Sequence, residues 1–226
     1  MLVSKEIVLY YHLLIPHLKT VSMDNHTIEM FEVIENYFRQ RMTLTEEGVT
    51  LIRRLLIPRH LDKGEFLICE GEVPKYGSFV CSGCLRSYVI DNKGKEHIVQ
   101  FAPKNWWMSD SSGIMKGSPS VYFMDAIEPS DILLIDYPSL QRLISDLPGY
   151  AAAFQVGLQK HAAAKDERIV ATLSSTAEER FRNFLTTYPG IAQTVPQHML
   201  ASYLGVTPET LSRIRKKWSA NKLILI

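Results

Sequence analysis

Cysteine is scarce in this sequence, and this limits how the fold can be stabilised. The 226 residues include three cysteines, Cys69, Cys81 and Cys84, an odd number that excludes a fully paired disulfide scaffold. Unpaired thiols are typical of a reducing compartment, so we expect a cytoplasmic protein. Cys81 and Cys84 have the spacing of half a zinc or redox site. Because no second half follows, we expect two ordinary thiols.

Long apolar runs and recognisable catalytic motifs are also missing. No stretch reaches the roughly 18–20 apolar residues of a membrane-spanning helix, so no membrane association is expected. Residues 7–15 are apolar but lack a cleavage site, and we predict that residues 1–22 form an N-terminal extension outside the main fold. The sequence contains no P-loop, dinucleotide fingerprint or nucleophile elbow, and its seven histidines show no metal-ligand spacing. We therefore predict no enzyme, with no catalytic residues, bound metal or cofactor.

Positive charge is in excess only near the C-terminus. The whole chain has 25 basic and 24 acidic residues, a net charge of +1. From residue 173 to residue 226, seven Lys or Arg side chains stand against three Asp or Glu, whereas the preceding part has 18 against 21. A basic segment attached to an acidic body suggests that the C-terminal part meets a polyanion.

The first two thirds of the chain predict two helices followed by a β domain. Apolar residues recur at helical spacing in residues 27–41, and Thr45 is placed to cap a second helix. From residue 58 to residue 137, short β-rich runs alternate with turn residues, a rhythm that favours an antiparallel barrel or jelly roll. The predicted strands are 65–69, 76–80, 84–90, 96–102, 121–126 and 131–136.

Helices are predicted again after the β domain. Residues 150–173 form a long Ala-rich helix. Such a helix serves either as a dimer seam or as a layer packed on its own barrel, and we favour the seam. Thr176 and Glu179 have the spacing of a capping box, which predicts a further helix over residues 177–187.

Residues near the C-terminus have the pattern of a helix-turn-helix. Residues 197–204 form a short amphipathic helix, and Gly205 follows it where a sharp turn needs positive φ. Thr207 can cap the next helix, and Pro208 suits a first turn that needs no amide donor. The second helix then covers residues 209–218. An ordinary helical hairpin with a solvated basic face is the alternative, which we do not favour.

The second of these helices carries the candidate DNA-binding residues. A helix placed this way fits the major groove, with its N-terminal residues at base edges. Arg213 is the best candidate for a bidentate contact with guanine, and Glu209 can accept from cytosine or orient Arg213. Lys216 and Lys217 suit phosphates, and Arg215 is also expected to face outward. The predicted DNA-binding residues are Thr207, Glu209, Thr210, Ser212, Arg213, Lys216 and Lys217.

The segment 197–217 resembles the recognition motif of the Crp/Fnr superfamily. Residues 63–72 and 83–97 resemble the first turns and the next hairpin of that family's β-roll, and residues 101–110 resemble a subgroup from Bacteroidetes-like bacteria. The resemblance covers about residues 23–217. It implies an α+β fold: a jelly-roll-like, antiparallel, N-terminal β-roll with flanking helices, a long dimerisation helix and a C-terminal helical (winged) helix-turn-helix domain.

The resemblance also implies a division into domains and a function. Residues 1–22 are the extension, 23–148 a sensor domain similar to cyclic-nucleotide-binding domains, 149–173 the dimerisation helix and 174–226 the DNA-binding domain. The implied function is effector-gated, sequence-specific transcription regulation. A homodimer would read a palindromic operator in double-stranded DNA. An unknown small-molecule effector and RNA polymerase are the further partners.

The sensor part departs from the nucleotide-binding members of the family. Those members carry a Gly-Glu pair for the ribose and an arginine for the cyclic phosphate, which residues 107–113 and 118–122 lack. A buried phosphate without a cation is poorly compensated, so cyclic AMP is not expected. The candidate effector-pocket residues are Trp106, Trp107, Ser109 and Asp110, although paired tryptophans are more often part of a core.

Two further departures from the family concern the iron–sulfur cluster of its oxygen sensors and the two-stranded wing of its DNA-binding domain. No cysteine precedes Cys69, so the iron–sulfur cluster of the family's oxygen sensors is not expected. Eight residues follow Trp218, and we expect a short or absent wing. The incomplete wing and the replaced phosphate-binding residues leave an alternative function: a small-molecule-binding sensor module with vestigial DNA binding.

Overall fold

Helices flank a β-roll and then make up the C-terminal part of this α+β protein. The computed structural model describes residues 24–223, so the predicted extension, residues 1–22, lies outside the described residues. The helices are α1 (Asn25–Arg39), α2 (Glu46–Leu55), α3 (Ser111–Lys116), α4 (Tyr137–Asp146), α5 (Tyr150–Ser174), α6 (Ala177–Thr187), α7 (Ile191–Thr194), α8 (Gln197–Leu204) and α9 (Pro208–Leu223). The strands are β1 (Ile57–Leu61), β2 (Phe66–Ile68), β3 (Tyr76–Ser82), β4 (Cys84–Ile90), β5 (Glu96–Pro103), β6 (Trp107–Met108), β7 (Phe123–Ala126) and β8 (Ser130–Asp136).

Two antiparallel sheets form the β-roll. Their strand orders are β1-β8-β3-β6 and β2-β7-β4-β5. Side chains from both sheets alternate inward, as the period of two along a strand requires, and meet in one apolar cluster. Its buried members are Leu61, Ile68, Val80, Leu85, Ala102, Met108, Met124, Ala126, Ile132 and Leu134. The predicted jelly-roll-like β-roll is therefore confirmed.

The strands that the sequence pattern missed are β1 and β6. β1 lies at the edge of its sheet, paired with β8, with Pro58 opposite Leu133. Proline cannot donate to a strand ladder and is tolerated at such an edge, so it interrupts the sequence pattern without preventing pairing. β6 has two residues, too few for an alternating pattern.

A second apolar cluster fixes α1 and the start of α5 on the roll. The Tyr150 ring, nearly fully buried, lies 5.2 Å from the Phe38 ring of α1 and 6.1 Å from that of Phe154. The same cluster includes Phe79 of β3 and Leu143 of α4. The long helix is thus anchored to the roll at its N-terminal end.

The thiols of Cys81 and Cys84 lie on either side of the β3–β4 turn but point into different clusters. Cys81 packs under α1 and donates to the Met30 carbonyl at 3.4 Å, whereas Cys84 packs towards the C-terminal helices. Burial raises the pKa of both thiols to about 12. Separate, buried and protonated thiols do not make half of a shared metal site.

We expect a thiol reagent at pH 8 to label Cys69 in the folded protein and to leave Cys81 and Cys84 unlabelled. Cys69 is half-buried, and a thiol of pKa about 12 is only roughly one part in 10⁴ thiolate at pH 8. Intact mass measured after labelling counts the modified thiols. The urea-unfolded chain, which should take up three labels, is the control. Labelling of Cys81 or Cys84 in the folded protein would contradict this expectation.

Helices make up the C-terminal part of the described chain. α6 opens with the predicted capping box: Thr176 Oγ1 accepts the Glu179 N–H at 3.3 Å, and Glu179 accepts the Thr176 N–H at 2.8 Å. α9 continues to Leu223, the last described residue, so the described residues include no strands of a wing. None of the described helices is long and apolar enough to cross a membrane.

Candidate nucleic-acid interface

The turn between α8 and α9 depends on one glycine conformation. Gly205 has φ +66°, and its N–H bonds to the carbonyls at the end of α8, with the Ser202 oxygen at 3.1 Å. An added Cβ would meet nothing within 4 Å, so the backbone conformation, rather than space, favours glycine here. The Val206 N–H then bonds to the Ala201 carbonyl at 3.0 Å, which completes the turn.

The buried side of α9 fixes which face it presents to solvent. Leu211 and Ile214 are buried against α8 and α6, and the Trp218 ring meets the Phe181 ring edge-on at 6.0 Å. These positions recur at helical spacing, so the opposite face must point outward. Thr207, Glu209, Arg213, Lys216 and Lys217 are exposed, and Thr210 and Ser212 are half-buried.

Hydrogen bonds order the exposed N-terminal turn of α9. Thr207 Oγ1 accepts the Thr210 N–H at 3.3 Å, which is the predicted cap. Arg213 donates to Thr210 Oγ1 at 3.3 Å, so Thr210 supplies an orienting contact for this guanidinium. The backbone N–H of Glu209 and the Thr207 hydroxyl lower the pKa of the Glu209 carboxyl, which keeps it ionised. The exposed start of α9 therefore carries an ionised acceptor, Glu209, and one turn later a fork of donors, Arg213.

Two basic residues of α9 have different surroundings: Lys217 forms an exposed ion pair, whereas Arg215 bonds to the main chain of a neighbouring helix. Lys217 Nζ lies 2.7 and 3.0 Å from the Glu178 carboxylate of α6, an exposed pair worth little in stability that a phosphate can replace. Arg215 was expected to face outward, and this prediction is wrong. Its guanidinium donates to the Ala192 carbonyl at 2.7 Å and ties α9 to α7. Helix spacing alone does not reveal that a neighbouring carbonyl lies within reach of a long side chain.

Arg168 of α5 joins the long helix, the roll and the helix-turn-helix. Its guanidinium donates to the carbonyls of Val99 and of Ile98 (2.8 Å) in β5 and of Tyr203 (3.0 Å) in α8. Burial lowers the pKa of this group, whose charge is compensated by the carbonyls and by the Tyr203 ring at 4.0 Å. The Ser202 hydroxyl also joins α8 to β5, since it accepts the Ile98 N–H at 3.1 Å. Neither Arg168 nor Ser202 stands out in the sequence, because their partners lie far away along the chain.

We expect Arg168→Met to lower the free energy of unfolding by about 1–3 kcal/mol, since half-buried carbonyls then lack a donor. Methionine keeps the length of the stem and removes the donors. Urea unfolding followed by circular dichroism measures the change. Lys165→Met, an exposed cation one turn earlier on α5, is the matched control and should be close to neutral. Equal stability of the Arg168 variant and the wild type would contradict the role assigned to these bonds.

The structure does not bring the four predicted effector-pocket residues together. The Trp106 ring stacks on the Tyr188 ring at 4.8 Å, whereas the Trp107 ring packs on Phe79 at 5.1 Å beneath α1. The Ser109 hydroxyl lies 2.9 Å from that of Ser111. Asp110 caps α3 by accepting the Gly113 N–H at 2.9 Å. These contacts give the residues packing and capping roles.

A cavity of about 660 Å³ lies where the roll, α5, α6 and α8 meet. Trp106 is the one predicted pocket residue on its wall. The guanidinium groups on the wall already have main-chain partners: Arg180 donates to the carbonyls of Leu204 (2.9 Å) and Ser175 (2.7 Å), as Arg168 does to its own three. Other lining residues include Gln100, Tyr122, Thr172, Asn183 and Tyr203.

Comparison with known proteins supports the two-part architecture. Residues 58–146, from β1 to the end of α4, match the family model described as Cyclic nucleotide-binding domain. The transcriptional activator protein anr of Pseudomonas aeruginosa is 27% identical over 182 residues, which cover 74% of this chain and 72% of the relative. The fumarate and nitrate reduction regulatory protein of Vibrio cholerae is 24% identical over 179 residues, with 74% and 70% covered.

The structure of FixK2 from Bradyrhizobium japonicum has the same fold, with a TM-score of 0.64, 20% identity and coverage of 74% of this chain and 86% of that one. The chain therefore combines a domain that matches the cyclic-nucleotide-binding type with a long helix and a helix-turn-helix, and it is similar to transcription regulators of the Crp/Fnr superfamily. The resemblance to a Bacteroidetes-like subgroup stays a prediction.

Proposed function

We propose that this protein is a sequence-specific, DNA-binding transcription regulator of the Crp/Fnr type, without catalytic activity, that works in the cytoplasm. The observation that carries the proposal is the outward face of α9, where Glu209 and Arg213 lie beside exposed Lys216 and Lys217. Arg213 would pair with the O6 and N7 of a guanine, while Glu209 accepts from a cytosine amino group. Thr207, Thr210, Ser212 and the lysines would contact phosphates or neighbouring bases, which fix the register.

We propose that the functional unit is a homodimer held together by α5. Along this helix Val156, Ala163 and Val170 recur every seven residues and are exposed, as are Ile169 and Leu173. A soluble helix that leaves such an apolar stripe in water is typically covered by a second helix. The proposed division is accordingly a sensor over residues 23–148, a dimerisation helix over 149–173 and a DNA-binding domain over 174–226.

We propose that the cavity between the roll and the helices receives a small-molecule effector other than cyclic AMP. Arg168 and Arg180 on its wall donate to main-chain carbonyls, so a cyclic phosphate would have to displace bonds that hold the protein together. An effector bound here would touch α5 and α8 at once. It would therefore bias the position of the helix-turn-helix, and with it the affinity for the operator and the contact with RNA polymerase.

Selection of bound fragments from random double-stranded DNA tests the proposed function. Two copies of α9 related by a twofold axis should enrich a palindromic motif whose half-sites lie about one helical turn, roughly 10 base pairs, apart. Enrichment of no motif, or of one without symmetry, would overturn the proposal of a dimeric reader. A small molecule that raises the melting temperature of a protein with no DNA affinity would instead favour the sensor-module alternative.

A further inference from the structure

Two histidines and an aspartate that are far apart in sequence converge at the junction of α1 with the roll. His26 Nε2 of α1 lies 3.0 Å from Asp131 Oδ1 of β8, and His60 Nδ1 of β1 lies 2.7 Å from the same oxygen. One ligand atom from each of the three residues lies within 4.8 Å of the other two. The three positions show no metal-ligand spacing in the sequence because they come from three separate elements, α1, β1 and β8.

The neighbours of the cluster hold its carboxylate in place. The Ser82 hydroxyl donates to Asp131 Oδ2 at 2.7 Å, which leaves Oδ1 directed at the two imidazoles. His60 Nδ1–H donates to Asp131 Oδ1, and the Asp62 carboxylate, 3.7 Å from Nε2, can hold the ring proton on that side when an ion replaces the proton on Nδ1. Histidines that bind metals commonly present their other nitrogen to a carboxylate in this way.

The exposure of the three side chains divides them into a fixed anchor and two accessible ligands. The Asp131 side chain is 12% exposed, whereas those of His26 and His60 are 58% and 54% exposed. Ligand atoms around a tetrahedral zinc ion lie about 3.3 Å apart. Small rotations of the two accessible imidazoles therefore suffice to admit an ion, and its remaining positions would face water.

We propose that His26, His60 and Asp131 form a binding site for a divalent transition-metal ion of the Zn²⁺ class. Two neutral imidazoles and one carboxylate are the donor set that such ions prefer over Mg²⁺ or Ca²⁺, which take oxygen ligands. A bound ion would replace the two hydrogen bonds to Oδ1 by a link between α1, β1 and β8. This proposal is independent of DNA binding by α9.

Calorimetric titration of the untagged, full-length, metal-free protein with ZnCl₂ is the direct test. We expect one ion per chain, and a loss of affinity of about tenfold or more in His26→Gln and in His60→Gln. Both histidines are on the surface, so glutamine should leave the fold intact, which circular dichroism checks. MgCl₂ in place of ZnCl₂ should give no comparable binding.

The chain offers a matched control for the two variants. His97 Nε2 also contacts a carboxylate, Asp91 Oδ2 at 2.8 Å, but this pair is not part of a three-ligand group in the described chain. His97→Gln should therefore bind Zn²⁺ like the wild type, and so should His12→Gln combined with His17→Gln. With Co²⁺ as the probe, ligation by nitrogen and oxygen should give visible absorption without the intense near-ultraviolet charge-transfer band of a thiolate.

Four results would overturn the proposal, and the first three concern the variants and the spectrum. These are binding that survives in both His26→Gln and His60→Gln, binding that is lost only in the control variants, and a thiolate band that points to the cysteines. An absence of any Zn²⁺ binding by the wild-type protein would overturn it as well. None of these results would bear on the palindromic motif expected from DNA selection.

Discussion

Arg213→Ala is expected to remove most of the discrimination between the selected palindrome and a scrambled duplex. A bidentate contact between arginine and guanine contributes about 1–3 kcal/mol, and a symmetric dimer makes the contact twice, so the loss is about 2–6 kcal/mol. That corresponds to a fall in specific affinity of roughly 30-fold to 10⁴-fold. Fluorescence anisotropy with both duplexes at one fixed salt concentration measures the change.

The control for Arg213→Ala is Arg182→Ala, which removes the same charge from an exposed position on α6, away from the face of α9. It should lower the affinity for both duplexes slightly and equally, because a general cation acts through counterion release and carries no sequence information. Lys216→Ala should behave in the same unselective way. If Arg213→Ala also weakened both duplexes equally, Arg213 would be a phosphate contact and the assignment of a base reader would fail.

Val170→Glu on α5 is expected to convert the proposed dimer into monomers and to abolish high-affinity binding to the palindrome. A glutamate at the centre of an apolar seam would be buried without a partner, at a cost of several kcal/mol in each subunit. The fold of the subunit should persist, because α5 is anchored by Tyr150 and Arg168 rather than by Val170. Analytical ultracentrifugation measures the mass of the particle, and circular dichroism checks the fold.

The matched control for this variant is Val121→Glu. Val121 is 59% exposed and Val170 is 60% exposed, so the two substitutions make the same chemical change at equal exposure in the subunit. Val121 belongs to the loop before β7 and not to the apolar stripe of α5, so its variant should stay dimeric. A dimeric Val170→Glu protein, or a monomeric wild type, would show that α5 is not the seam.

Prediction from the sequence succeeded where the interactions that form a structure are local. The capping box of Thr176 and Glu179, the cap of Thr207 and the positive φ of Gly205 join residues a few positions apart, and all three are present. The alternation of the six predicted strands is local as well. The long helix predicted over residues 150–173 is present as α5.

Prediction failed where the partner lies elsewhere in the chain. β1 exists because β8 offers it an edge, and the direction of Arg215 is set by a carbonyl of α7. The two adjacent tryptophans were candidates for an effector pocket, although a core role was favoured, and the structure packs their rings against two different apolar clusters. Successive side chains of an extended segment point to opposite sides, so neighbours in sequence are seldom neighbours in a pocket.

The sequence by itself determined the architecture and the two helices of the helix-turn-helix, because periodicity, caps and turn residues act over a few positions. Only the tertiary structure decided which charged side chains of α9 point to solvent, where the cavity lies, and that His26, His60 and Asp131 come together. Each of these depends on contacts between residues separated by tens of positions. Such contacts form only when sheets and helices pack together, so the residue pattern of a single segment cannot predict them.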